Sequence, residues 1–233
     1  TMKNWKRFVF IFAILFSLGA FESYAMQNVM SDSLAMEKCR ISYVMKGTDG
    51  EKYNLYILGD NEQFYGSRSA WQKTDYDQVY SADGYWGYIS AINDTEALLQ
   101  STNLFGKKSN AYLEYLNMTD PTYMGGVYLI TGESDQPDVL VTAEQMTGGG
   151  FISYRCFVIQ NGSLTPMRFM GDDKRTHLSV IGTHKKPYGV EDGTIAFPWR
   201  RQKGFNYNAG SFVSVYMPDF TNLILIHGYT YEE

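Results

Sequence analysis

The chain has 233 residues, a formal net charge of −5, 44% hydrophobic and 16% aromatic residues, and two cysteines. That length suits one substantial domain or two small ones, and the acidic balance argues against a nucleic-acid partner, whose phosphates demand concentrated Lys and Arg. The sequence holds no Gly-x-Ser-x-Gly elbow, no His-Glu-x-x-His helix and no Gly-x-x-x-x-Gly-Lys-Ser/Thr loop, so no local motif assigns it to serine hydrolases, zinc proteases or nucleotide binders.

Lys3, Lys6 and Arg7 precede an apolar run from Phe8 to Leu18, and Ser23-Tyr24-Ala25 offers the small residues that a signal peptidase reads. The run is shorter than the roughly 20 residues a spanning helix needs. The expectation is a signal peptide over residues 1–25 and a single β-rich domain over 26–233. That domain would be periplasmic or secreted, with no stable membrane insertion after cleavage. Setting aside Lys3, Lys6, Arg7 and Glu22 takes the formal charge from −5 to −7. In an oxidising compartment Cys39 and Cys156 are expected to form one disulfide, worth ~3–5 kcal/mol in the chain-entropy picture. No Cys-x-x-Cys spacing points to catalytic or metal-binding thiols.

Residues 26–37 lack a clear period and suit a tail or a short helix. Cys39, Ile41, Tyr43 and Met45 alternate on one face of a strand that turns at Gly47-Thr48-Asp49-Gly50 and returns through Lys52 to Leu58. Polar and aromatic text from Gly59 to Asp83 reads as a long loop with one edge strand, and Gly84 to Ile92 resumes strand character. Asp94 is placed to cap a helix over Thr95 to Phe105, with Ala97, Leu98, Leu99 and Leu104 as its stripe and Gly106 as its stop. Asn110 to Met118 could extend as helix or strand, with strand preferred, and Val127 to Ile130 reads as a strand.

A three-strand meander then runs from Pro137 to Phe169, punctuated by Gly148-Gly149-Gly150 and Asn161-Gly162. Its middle strand puts Ile152, Tyr154, Cys156 and Val158 on the expected core face. Four further short runs, at Leu178–Ile181, Thr194–Phe197, Ser211–Tyr216 and Leu223–Ile226, complete a mainly β chain. The expected architecture is an antiparallel sandwich, barrel or propeller-like array with one short helix.

The phrase from Asp138 to Glu144, followed by Thr147-Gly148-Gly149-Gly150, Tyr154 to Ile159 and Asn161 to Leu164, resembles one unit of the FG-GAP or VCBS repeats of exported bacterial proteins. The resemblance implies an extracytoplasmic β fold and no particular activity. Those families carry an Asp-x-Asp-x-Asp-Gly calcium loop before the strand, where this chain has Gly132-Glu133-Ser134-Asp135-Gln136-Pro137.

Neither the histidines nor the acids announce a site. His177 and His184, seven apart, would point to opposite faces of one strand, and with His227 they complete the histidine supply. Of the close carboxylate pairs, Asp135 with Asp138, Asp172 with Asp173 and Asp75 with Asp77, the last could share a face of a strand, but all three read as solvated turn acids. No cofactor or metal is expected. The unusual property is aromatic: setting aside Tyr24 leaves 18 of the 19 tyrosines, many in loop-like text at Tyr65, Tyr76, Tyr80, Tyr85, Tyr123, Tyr188 and Tyr207.

Tyr and Trp supply flat amphipathic area for protein hot spots or sugar rings, although cross-strand packing uses the same residues. The expected binding residues are Trp71, Tyr76, Tyr80, Tyr85 and Trp86, with Trp199 beside Arg200 and Arg201 as a second place. The expected function is non-catalytic recognition of a macromolecular partner, most readily a protein, as an inhibitor or immunity-type factor would perform. The alternative is a secreted glycan-binding protein or glycoside hydrolase.

Overall fold

The Asn161-Gly162 pair turns the chain back on itself as its residue types require. Both residues take positive φ, 51° and 70°, which is the backbone of a two-residue type I′ turn. The structure around it, a computed structural model, describes residues 30–67, 78–93, 99–105, 114–117, 125–145, 152–183, 185–200 and 210–233.

Helix α1 (Asp32–Lys38) precedes β1 (Ile41–Lys46), β2 (Lys52–Gly59), β3 (Gln63–Ser67), β4 (Gln78–Ala82) and β5 (Tyr85–Ala91). Next come β6 (Leu99–Asn103), β7 (Glu114–Asn117), β8 (Gly126–Ile130), β9 (Val139–Gln145), β10 (Ile152–Gln160) and β11 (Ser163–Pro166). The remainder is β12 (Arg168–Met170), β13 (Thr176–His177), β14 (Val180–Gly182), β15 (Tyr188–Gly189), β16 (Ile195–Arg200), β17 (Ser211–Asp219) and β18 (Ile224–Glu232).

These strands make four sheets. An N-terminal sheet has the order β1-β2-β5-β6, and a small sheet the order β3-β4-β7. A central sheet has the order β11-β10-β9-β8 with β14 also against β10, and a C-terminal sheet runs β13-β12-β18-β17-β16-β15. The β12–β18 pairing is parallel; the other pairings among the described strands are antiparallel. The chain is therefore mainly β, with sheets stacked in sandwich fashion and one helix among the described residues.

The central sheet is the middle layer. On one side Leu140, Phe157, Ile159 and Leu164 pack with Met45, Leu55, Ile57 and Ile89 of the N-terminal sheet. On the other, Val141, Tyr154, Cys156 and Val158 pack with Phe169, Ile195, Phe197 and Leu225 of the C-terminal sheet. The face carrying Ile152, Tyr154, Cys156 and Val158 is core as expected, but Phe157 and Ile159 on the opposite face are equally buried. Strands covered on both sides lose the apolar–polar alternation and read as continuous apolar runs, as Val139-Leu140-Val141 does.

Three expectations are corrected here. Residues 99–103 form β6, paired with β5, instead of the middle of a helix; residues 94–98 lie outside the described set. The Leu104 amide bonds the Tyr85 carbonyl at 3.1 Å, and Leu104 fills the core between the N-terminal and central sheets. Sheet pairing and burial outweigh the weak intrinsic helix preference of a short segment. The stretch from Gly59 to Asp83 holds two paired strands, β3 and β4, in place of a loop with one edge strand.

The third concerns the cysteines, which are not bonded to each other. Cys156 is fully buried between the central and C-terminal sheets. Cys39 ends α1 and packs with Tyr56, Leu58 and Tyr88 on the far side of the N-terminal sheet. A whole packed layer stands between these clusters, so the two sulfurs cannot approach bonding distance.

Helix α1 falls in the segment read as a tail or a short helix. Ser31 caps it, its hydroxyl accepting from the Leu34 amide. Asp32 anchors it: one carboxylate oxygen accepts from Tyr56 at 3.0 Å and from Ser90 at 2.6 Å, both buried bonds. No helix among the described residues is long and apolar enough to cross a membrane.

Candidate recognition surface

The expected aromatic residues that the structure describes, Tyr80, Tyr85, Trp86 and Trp199, do not gather into one patch. Trp71 and Tyr76 lie outside the described residues. Tyr80 is half-buried under the Arg40 guanidinium, 3.9 Å from its ring centre, with Phe64 edge-on at 5.4 Å. Arg40 in turn pairs with Glu62 at 2.6 Å. Tyr85 is a core residue with no exposed surface, its ring edge-on to Phe105 and its hydroxyl donating to Glu62. A side chain so placed cannot meet a partner, which corrects its assignment to a recognition loop.

Trp86 is half-buried against the α1 cluster and donates its indole N–H to Asp60 at 2.7 Å. Trp199 stacks on Phe212 at 4.8 Å and donates to Ser214 at 2.9 Å. Both rings are committed to partners within the fold. Among the histidines, His177 is exposed, His184 lies outside the described residues, and His227 bonds Asp172 and Thr230. No three His, Cys, Asp or Glu side chains converge as metal ligands among the described residues.

An aromatic surface does exist, on the outer face of the C-terminal sheet. Cross-strand partners share a face, and the register runs Tyr188–Ala196–Val215–Tyr229 in one row and Pro198–Val213–Tyr231 in the next. Ala196, Val213 and Val215 form a floor no more than 2% exposed, while Tyr188, Tyr229 and Tyr231 are 43%, 54% and 41% exposed. The Tyr188 and Tyr231 hydroxyls meet at 3.2 Å, and the Tyr229 and Tyr231 rings lie 6.2 Å apart. That hydroxyl contact pushes the Tyr188 phenol up to about 12. Three rings are thus held over small residues with much of their area facing solvent.

The sequence offers Tyr188 only as one loop tyrosine among many. It does not single out Tyr229 and Tyr231: an unbroken alternation from Ile224 would put them on the face of buried Leu225, and it is the irregularity at Gly228, which no local sequence signal announces, that turns them outward.

Tyr188 also lines a cleft of about 560 Å³ where the central and C-terminal sheets part. Its floor is apolar, from Ile130, Val139 and Ile195; one rim is the 131–137 loop and the other is the turn joining β15 to β16. Gly189 lets these walls come together, since a Cβ there would sit 3.2 Å from Ile130 Cγ2. Asp138 shapes the loop from beneath: buried, it accepts from the Gly132 amide at 2.9 Å and from the Lys46 amide at 2.7 Å. The Tyr128 hydroxyl, buried beside the cleft, has no hydrogen-bond partner among the described residues. Burial, with Tyr154 and Cys156 adding, holds that phenol far above its ordinary range. Comparison of the chain with protein families, curated proteins and solved structures gave no match.

Proposed function

We propose that this is an exported bacterial protein that works by binding, recognising a macromolecular partner, most readily another protein, in the manner of an inhibitor or immunity-type factor. The observation that supports this reading is the outer tyrosine face: Tyr188, Tyr229 and Tyr231 stand half-exposed over a buried floor of Ala196, Val213 and Val215. Tyrosines supply large contact area with little side-chain entropy to lose, and they concentrate in binding hot spots. Ordinary sheet packing would bury such rings between layers, as it buries Tyr154.

The test is capture of partners from cell-envelope extract by the purified chain, read by mass spectrometry, beside a glycan array. A protein partner whose capture falls at least tenfold in the Tyr229→Ser/Tyr231→Ser double variant supports the reading, a loss in keeping with two hot-spot rings. A strong array signal without a protein partner turns it toward glycans.

A further inference from the structure

The cleft beside the tyrosine face is walled by two strand edges whose outward backbone groups can be assigned from register. Gln160 and Ser163 flank the two-residue turn and exchange both hydrogen bonds. Even-numbered residues of β10 therefore face β11, and the Met167 amide on the Cys156 carbonyl at 2.8 Å agrees. Odd-numbered residues of β10 face β9, pairing Arg155 with Thr142 and Phe157 with Leu140. This leaves Val139, Val141 and Ala143 to bond Ile130, Tyr128 and Gly126 of β8. Val127 and Leu129 consequently turn their N–H and C=O groups away from the sheet.

The Val127 carbonyl is covered, since Tyr43 donates to it at 3.0 Å. Leu129 and, in the same phase, Thr131 present theirs along the cleft. Across it, the Val190 amide bonds the Thr194 carbonyl at 2.8 Å. Tyr188 is thereby paired inward with Ala196, and Gly189 turns its N–H and C=O outward.

We propose that this cleft takes an extended segment of a partner protein, which adds as a strand to the outer edge of β8. Donor–acceptor pairs on alternate residues recur every two residues, roughly 7 Å, and a second extended backbone carries the same period. The hydroxyls of a sugar do not. The apolar floor of Ile130, Val139 and Ile195 lies where side chains on one face of the incoming strand would point, and the volume falls within the roughly 300–1,000 Å³ of ligand pockets. Tyr43 blocks the edge at Val127, so the segment registers from Leu129 onward. The inference rests on the recognition reading above and places the partner's main chain beside the tyrosine face.

A phage-displayed library of random twelve-residue peptides panned on the purified chain supplies the probe, and the strongest binder is resynthesised with one N-methyl group at each position in turn. Strand addition predicts losses of about tenfold at alternate positions and little change between them. Thr131→Pro removes an outward N–H at an exposed position, so it should weaken the same peptide about fivefold without moving the thermal midpoint. The Leu129 and Thr131 amides should exchange quickly in the free chain and slowly with peptide bound. Methyl losses without alternation, or a binder indifferent to Thr131→Pro, overturn strand addition. So do a library that yields no binder and a Leu129 amide already protected in the free chain. Any of these leaves the recognition reading standing if envelope capture still depends on Tyr229 and Tyr231.

Discussion

His227 and Thr230 stand three residues apart on β18, yet His227 Nε2 and Thr230 Oγ1 meet at 3.0 Å. Odd spacing in a regular strand sends side chains to opposite faces. Here the pairing with β17 goes from Val215↔Tyr229 to Tyr216↔His227, leaving Gly228 bulged out of the ladder. Asp172, from the turn before β13, reaches His227 Nδ1 at 2.7 Å. A carboxylate only accepts, so in the neutral ring Nδ1 carries the proton and Nε2 accepts from Thr230. Thr230 continues to Ser214 at 2.8 Å, which receives the Trp199 indole N–H. One imidazole thus ties a turn to three strands of the C-terminal sheet.

Replacing that imidazole should loosen the sheet. His227→Ala removes the bonds to Asp172 and Thr230 and the edge contact with the Tyr216 ring, 5.4 Å between centres. A loss of about 1–3 kcal/mol is expected, read as a lower urea midpoint. Thr230→Val keeps the ring and its Asp172 bond, so it should cost about 1 kcal/mol or less.

Asp32 should prove more costly than its place on a short helix suggests. Asp32→Ala leaves the buried Tyr56 and Ser90 hydroxyls without their shared acceptor, at about 2–4 kcal/mol for the pair. Helix α1 should then lift from the sheet, which speeds modification of Cys39 by a thiol reagent several-fold. Unchanged Cys39 reactivity would show that the apolar packing around Ala35 holds the helix without the carboxylate.

The thiols give a separate test. The folded chain should show Cys39 as slowly reactive and Cys156 as silent, burial pushing both thiols up. Unfolding should release two free thiols even from protein prepared without reductant. A mobility change on reduction would contradict the separation of the two clusters.

One surface hydrogen bond should mark stability at both ends of the pH scale. Tyr53 donates to Asp49 at 2.6 Å; the bond lowers the Asp49 carboxyl and pushes the Tyr53 phenol up to about 12. The depressed carboxyl contributes stability that is fully present above its unfolded value near 4 and is lost as pH falls through the folded value. The raised phenol contributes stability present below about pH 10 and lost as pH climbs toward 12. Tyr53→Phe should shrink both dependences, which thermal melts from pH 3 to 11.5 would reveal.

Much of the sheet structure was legible because local signals agreed with tertiary ones. The Asn161-Gly162 turn, the hairpin around Gly50 and the alternation of Ile41, Tyr43 and Met45 each have a short-range cause, and each stands in the structure; Cys39, expected on the same face, instead ends α1 and packs in the cluster on the other side of the sheet. What failed depended on neighbours distant in sequence. β6 takes its form from pairing with β5, and the cysteines are separated by a layer that composition cannot place. Tyr85 looked like a loop aromatic because polar text precedes it, yet β5 carries it into the core. Asp138 looked like a turn acid, but its neighbours in space are the Lys46 and Gly132 amides. Tyr188 gains its meaning only from Tyr229 and Tyr231, some 40 residues onward, through the register of three intervening pairings.

Asp138 carries the last prediction because it links the N-terminal sheet to the rim of the cleft. Its two oxygens hold the Lys46 and Gly132 amides, and its own amide donates to the Lys46 carbonyl at 2.9 Å. Asp138→Ala should cost about 2–4 kcal/mol, since two partly buried amides lose a charged acceptor. Asp138→Asn keeps an acceptor for one amide and turns an NH₂ toward the other, so it should recover only part of that loss. The 131–137 loop would then relax first, and partner capture should fall more than the tyrosine face alone explains. Stability loss with capture unchanged at a temperature where the variant is folded would separate the loop from recognition and leave the tyrosines as the contact.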